Sequence, residues 1–246
     1  MGTPLPTITV ITVCRNAIDL IEKTIQSVLA QTYPNVEYIL VDGASTDGTL
    51  SIIEKYAGQI ARYVSEPDHG IYDAMNKGLS YATGEWVNFM NAGDTFAGTE
   101  VLSSVFCKSE GEEISSHIKV IGGHTHLLYP EKTEVLQAQG GSAVPYALPF
   151  CHQSSFVRRT LDGASAFQFN LKYRIAADYH LFYRIYQQYG AEAFCTVDSV
   201  IANYRMDGST TFENLRKAKK EYLQITSSYT SPFWWKQCIK YILRRP

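Results

Sequence analysis

YILVDGASTDGTL, residues 38–50, changes character at a single residue. Tyr38, Ile39, Leu40 and Val41 are strand-forming and apolar. From Asp42 onward the chain is mostly Asp, Gly, Ser and Thr. A carboxylate at the carboxyl edge of a buried strand, beside a flexible loop, is where an open α/β sheet binds a ligand. WVNFMNAGD, residues 86–94, repeats the arrangement: an apolar stretch runs into an acidic turn.

The flanking sequence extends this into alternating strands and helices. Residues 8–14 form an apolar run on both parities, as in a strand covered on both faces. Residues 17–31 place Ile18, Ile21, Ile25, Val28 and Leu29 at helical spacing, with Asn16 as the N-cap. A strand at 36–41, a helix at 46–56 with Asp47 at its start, and a short strand at 62–65 follow. Next come a helix at 71–82, with Ile71, Met75 and Leu79 on one face, and a strand at 86–90. The pattern predicts an α/β protein with a mostly parallel central sheet and helices on both faces.

Further along, a helix is expected at 101–106, a strand at 119–122, and a Gly/Ala/Pro-rich loop at 137–150. A helix at 175–189 stopped by Gly190, a strand at 194–204 and a charged helix at 213–229 complete the set. The loss of alternation suggests a nucleotide-binding half over 1–122, an acceptor-binding half over 123–212 and a helical tail over 213–246.

Composition removes several classes. A formal charge of -2 and a pI near 6.3 argue against a nucleic-acid partner. Cys14, Cys107, Cys151, Cys195 and Cys238 are scattered without a CxxC pair, which suits free thiols and no zinc site. The amino end lacks a charged region before an apolar stretch, so no signal peptide is expected. No apolar run approaches the roughly 20 residues of a membrane span. The tail SPFWWKQCIKYILRRP, residues 231–246, mixes Trp and aliphatic groups with Lys and Arg. That mixture fits a helix lying in a membrane surface, and equally a helix packed on the domain with its cations solvated.

Several side chains carry candidate chemistry. Asp42 can accept from the N3–H of a uracil ring, whereas Asp47 reads as a helix-start residue. Asp73, Asn76 and Lys77 share a helical face through i, i+3 and i+4 spacing. They would turn an acceptor and donors towards a nucleotide, or form an ordinary solvated face. Asp94 can hold Mg²⁺ or Mn²⁺ against a diphosphate, with Asn91 as a neutral helper. Asp178, at the start of a helix, can deprotonate an acceptor hydroxyl or simply complement the helix dipole. His152 and Gln153 can meet the diphosphate, the metal or the acceptor.

Taken jointly, ITVCRN (11–16), VDGASTDGT (41–49), SEPDHGIYDAMNKG (65–78), FMNAGD (89–94), CHQSSFVRR (151–159) and AADYHL (176–181) resemble a family 2 glycosyltransferase of the GT-A fold. Relatives of that kind build bacterial O-antigen, capsule or colanic-acid-type exopolysaccharide. The resemblance implies that Val13 and Arg15 border the nucleotide, Asp42 binds uracil and Asp73 lies near the donor. It places Asp94 in the family's metal-binding DxD region and Asp178 at the catalytic base. Asn91 and Gly93 replace the usual acidic pair, leaving Asp94 as its only carboxylate. The QxxRW signature of processive polymerases is absent, so single addition is expected. The implied activity is inverting transfer from a UDP-sugar to a polyprenyl-diphosphate-linked saccharide. It would take place in the cytoplasm or on the inner face of the plasma membrane. A sugar-nucleotide nucleotidyltransferase and a non-catalytic nucleotide-sugar-binding module are the rival readings.

Overall fold

A computed structural model describes residues 5–107, 114–161, 163, 165–206 and 215–226. In chain order its elements are β1 (Ile8–Cys14), α1 (Ile21–Leu29), β2 (Val36–Asp42), α2 (Thr49–Lys55), β3 (Arg62–Ser65), α3 (Ile71–Tyr81), β4 (Trp86–Phe89), β5 (Thr95–Phe96), α4 (Val101–Phe106), β6 (Val120–Leu128), β7 (Thr133–Leu136), β8 (Ser155–Arg158), α5 (Ala177–Tyr189), β9 (Phe194–Arg205) and α6 (Leu215–Ile225).

The first four strands build the expected parallel sheet in the order β3-β2-β1-β4. Every residue of β1 is buried, because helices cover both faces. Ile8 and Val10 face α1 and α4, where they join Ile21, Ile25, Val28 and Leu102. Ile11 and Val13 face α3 and α5, joining Met75, Leu79, Tyr179 and Phe182.

Past β4 the same sheet continues with β8, β6, β9 and β5, and β7 pairs with β6. β8 runs antiparallel to both β4 and β6, β9 runs parallel to β6, and β5 is antiparallel to β9. The sheet is therefore mixed. This change of direction ends the strand–helix alternation in the sequence. The expected break near residue 122 falls inside β6, and one hydrogen-bonded sheet crosses it.

The start of α1 also differs from expectation. Residues 17–20 form a turn, and the helix begins at Ile21 behind an uncapped Leu20. Asn16, at φ 49°, instead accepts from Thr46 N–H at 2.9 Å and ties the first two strand-end loops together. Asp47 acts at its helix start as expected, accepting from Thr49 N–H at 3.0 Å, and also accepts from Ile18 N–H at 3.1 Å. Among the described residues, no helix is long and apolar enough to cross a membrane. Residues 231–246 lie outside the described residues.

Gly122 couples the sheet to α5. A Cβ at this position would overlap the Phe150 ring, whose centroid lies 6.3 Å from that of Phe182 on α5. Gly122→Ala should therefore lower the free energy of unfolding in urea by about 1–3 kcal/mol, the usual penalty for overpacking. A change of a few tenths would mean that the ring moves aside freely.

Candidate functional site

The site forms along the carboxyl edge of the parallel strands. Register places Cys14, Asp42 and Ser65 level across β1, β2 and β3. The Asn91–Asp94 turn continues β4 alongside β1, with Ala92 N–H donating to Val13 O at 3.2 Å. Val13 is buried between these two edges and Arg15 is exposed beside them.

Asp42 is fully enclosed. Its carboxylate accepts from the Ser45 hydroxyl, from Ser45 N–H at 3.0 Å and from the Ser65 hydroxyl at 2.6 Å, and the Cys14 thiol lies 3.6 Å away. Asp42, expected to contact uracil, thus has its carboxylate hydrogen-bonded to Ser45 of the following loop and Ser65 at the end of β3. Asp68 stands outside it. A Cβ on Gly43 would collide with the Asp68 carboxylate and lie 3.3 Å from Arg15 Cβ. Glycine is needed there so that these two side chains can close over the backbone.

Asp73, Asn76 and Lys77 build the wall behind Asp68. Asp73 accepts from His69 N–H at 3.0 Å. Lys77 donates to Pro67 O at 2.6 Å and pairs with Glu66 at 3.0 Å. Asn76 brackets Phe169, donating to its carbonyl at 3.0 Å and accepting from its N–H at 2.8 Å. Asn76, expected on the donor side, makes this bracket with both its amide nitrogen and its amide oxygen.

Five of the other expected residues form one connected group. Gln153 Nε2 donates to Asp94 Oδ2 at 2.7 Å, and Arg205 N–H donates to Asp94 Oδ1 at 2.9 Å. Next to Gln153, His152 bridges two residues: Nε2 is 2.9 Å from Asn91 Nδ2, and Nδ1 is 3.4 Å from Asp178 Oδ2. One tautomer satisfies both contacts, with Nδ1–H towards Asp178 and Nε2 accepting from Asn91. Asn88 fastens this segment to β4 by donating to Gln153 O and Ser155 O, both at 2.9 Å. Asp178 sits in the first turn of α5 and is 8% exposed. Its Oδ1 accepts from Tyr179 N–H at 2.8 Å and lies 3.2 Å from the Tyr72 hydroxyl. Phe89, Val157, Phe169, Leu181 and Phe182 line a small cavity beside His152 and Asp178.

Burial dominates the electrostatics. Loss of hydration pushes the Asp94 carboxyl up to about 6, against the pull of the Arg205 and Gln153 hydrogen bonds and of His152. The Tyr72 hydroxyl is held well above its ordinary value by burial and then by the Asp178 charge.

The residues around Asp94 suit a hard divalent cation. Asn91 Oδ1 and Gln153 Oε1 are buried oxygens without a hydrogen-bond partner, which gives neutral oxygen donors beside one carboxylate. Among the described residues, no three His, Cys, Asp or Glu side chains gather as a self-sufficient metal cage. A cation here would draw its remaining ligands from a diphosphate and water, the usual habit of Mg²⁺.

Sequence reasoning passed over Asp68, Tyr72 and Arg205. Asp68 lies in a Pro-Asp-His-Gly run that reads as turn chemistry, and Tyr72 is one of many tyrosines. Arg205 contributes a backbone N–H, which no side-chain pattern reveals.

This fold is the GT-A glycosyltransferase arrangement. The mannosyltransferase PcManGT from Pyrobaculum calidifontis, solved with GDP-Man and Mn²⁺, superposes with a TM-score of 0.71 at 21% identity, over 96% of this chain and 70% of that one. S. aureus TarS 1-349 in complex with UDP-GlcNAc gives 0.66 at 18% identity, over 85% and 61%. Residues 9–162 match Glycosyl transferase family 2, and the chain belongs to that family. An uncharacterized glycosyltransferase of Mycobacterium tuberculosis is 38% identical over 102 residues, a match spanning 41% of this chain and only 39% of that protein. A PGL/p-HBAD biosynthesis glycosyltransferase of the same organism is 30% identical over 179 residues, spanning 71% of this chain and 67% of the relative.

Proposed function

We propose that this chain transfers one sugar from a UDP-sugar, with inversion, to a hydroxyl of a lipid-linked saccharide during bacterial surface polysaccharide synthesis. The observation that carries the reading is the joined group Asp94–Gln153 and Asn91–His152–Asp178. It sets a carboxylate suited to the diphosphate side near a second carboxylate suited to the acceptor side. Arg15 and Asp68 border the nucleotide at the β1–β2 edge, with Asp42 holding the loop behind them.

Asp178 takes the proton of the acceptor hydroxyl as that oxygen bonds to the anomeric carbon. The bond from that carbon to the diphosphate oxygen breaks, and UDP leaves with the electron pair. Attack opposite the leaving group inverts the anomeric centre. His152 Nδ1 faces Asp178 Oδ2 at 3.4 Å, beside the small cavity. A divalent cation at Asp94 would neutralise charge on the departing diphosphate, with Asn91 and Gln153 as its neutral neighbours.

The donor nucleotide is the part most open to test, since the structural neighbours above carry UDP-GlcNAc in one case and GDP-Man in the other. A screen of UDP-glucose, UDP-galactose, UDP-GlcNAc and GDP-mannose for nucleoside diphosphate release, with Mn²⁺ and with EDTA, addresses it. UDP release that is lost in EDTA is the expected result. GDP release alone would reverse the donor assignment. Tight binding without turnover would favour a sensing module. Pyrophosphate release from UTP and a sugar phosphate would indicate a nucleotidyltransferase.

A further inference from the structure

We propose that Glu221, on the C-terminal helix α6, is a positioning residue for Asp178; this rests on the reading of Asp178 as the base. The Glu221 carboxylate accepts from three consecutive backbone amides: Arg174 at 3.0 Å, Ile175 at 2.9 Å and Ala176 at 2.9 Å. These residues lead directly into α5, whose cap residue Ala176 has no side-chain cap. Amides at a helix start have no intrahelical partner, and successive N–H groups converging on one point favour an anion. Glu221 supplies that charge from 45 to 47 residues away in sequence. Hydrogen bonds to an ionised acceptor are roughly twice as strong as neutral ones.

Two neighbours make the contact specific to the base. Tyr222, next to Glu221, packs its ring 4.7 Å from that of Tyr179, the residue after Asp178. From the opposite side, the Tyr72 hydroxyl donates to Ile175 O at 2.8 Å and lies 3.2 Å from Asp178 Oδ1. The run from Arg174 to Asp178 is thus held between α3 and α6. The orientation of the base depends on a helix that contributes no group to the reaction.

The test compares full-length wild type, Glu221→Ala, Glu221→Gln and Asp178→Asn. Turnover is read as UDP release from whichever of UDP-glucose, UDP-galactose and UDP-GlcNAc reacts fastest, and UDP affinity by calorimetry. Glu221→Ala is expected to lower kcat by about tenfold or more, the scale of a small misplacement of a reacting group. KM for the UDP-sugar and UDP affinity should stay unchanged. Added formate, seated on the three freed amides, should restore part of kcat and slow the raised hydrogen exchange of residues 174–178. Glu221→Gln, which keeps an acceptor oxygen, should fall between. Wild-type kcat in Glu221→Ala, or a loss that formate does not relieve and that lowers UDP affinity equally, would overturn the proposal. Should the alanine variant not fold, Glu221→Gln decides: unchanged kcat and exchange would reject the role. Full turnover in Asp178→Asn would instead remove the base assignment, whatever Glu221 does. Absence of nucleoside diphosphate release by wild type from every one of these sugars and from GDP-mannose would remove both.

Discussion

Asp178→Asn is expected to leave UDP affinity unchanged and to lower turnover by roughly a hundredfold or more, the scale of losing a general base. The substitution keeps the size of the side chain and an oxygen for Tyr179 N–H, which now holds Oδ1 at 2.8 Å. It removes the basic lone pair that faces the cavity beside His152. The proposed nucleotide edge at Arg15, Gly43 and Asp68 belongs to different elements and should not respond. Stability should change by the small helix-dipole contribution of an acidic first-turn residue, a few tenths to about 1 kcal/mol, and by loss of the acceptor that faces His152 Nδ1. UDP affinity, thermal unfolding and single-turnover rate together separate a chemical defect from a folding one. If Asp178→Asn turns over normally while His152→Gln is inactive, the base is the imidazole and Asp178 merely orients it.

The parallel half of the sheet was legible because β1, β2 and β4 are largely buried, with only β3 at the edge mostly exposed. The runs at residues 8–14 and 36–41 contain enough apolar side chains to announce a strand without its partners. β5, β7 and β8 gave no such signal. β5 has two residues, and all four positions of β7 are exposed, so neither presents a patterned apolar face. β8 is four residues within a segment noted for His152 and Gln153. The candidate site was legible where its groups are side chains at a strand end or helix start: Asp94, His152 and Asp178 do come together. It was hidden where chemistry depends on enclosure. Asp42 has an ideal position in sequence, and only the structure shows Ser45 and Ser65 closing over its carboxylate. Glu221 sits in a charged helix among lysines, and its three amide partners come from a distant loop.

Asp94→Asn should make the protein more stable in the absence of metal and much less active in its presence. The Asp94 carboxyl has an ordinary value of 3.8 and is raised to about 6 by burial. The native state therefore holds the proton more tightly than the unfolded chain. Between these two values folding takes up a proton, and stability falls as pH rises. Above about pH 6 the native state carries the full penalty, at most about 3 kcal/mol for a shift near two units. The asparagine never ionises. Its amide can donate to Gln153 Oε1, now a buried acceptor without a partner, if Gln153 turns its amide over. Its oxygen keeps the bond from Arg205 N–H. In EDTA at pH 7.5, denaturant unfolding should show Asp94→Asn about 1–3 kcal/mol more stable than wild type. The difference should shrink as pH is lowered towards 4.5, and the variant serves as the control for every other titrating group. Parallel pH–stability curves would mean that Asp94 is not strained by its burial. With Mn²⁺ and UDP the order should reverse: wild type gains stability by binding, and the variant gains little because its cation ligand is gone. UDP-sugar turnover should drop on the order of a hundredfold or more, as several kcal/mol of charge stabilisation is lost. A carboxylate kept in a site where it weakens the fold, and relieved by a cation and a diphosphate, is what a donor-binding role requires of Asp94.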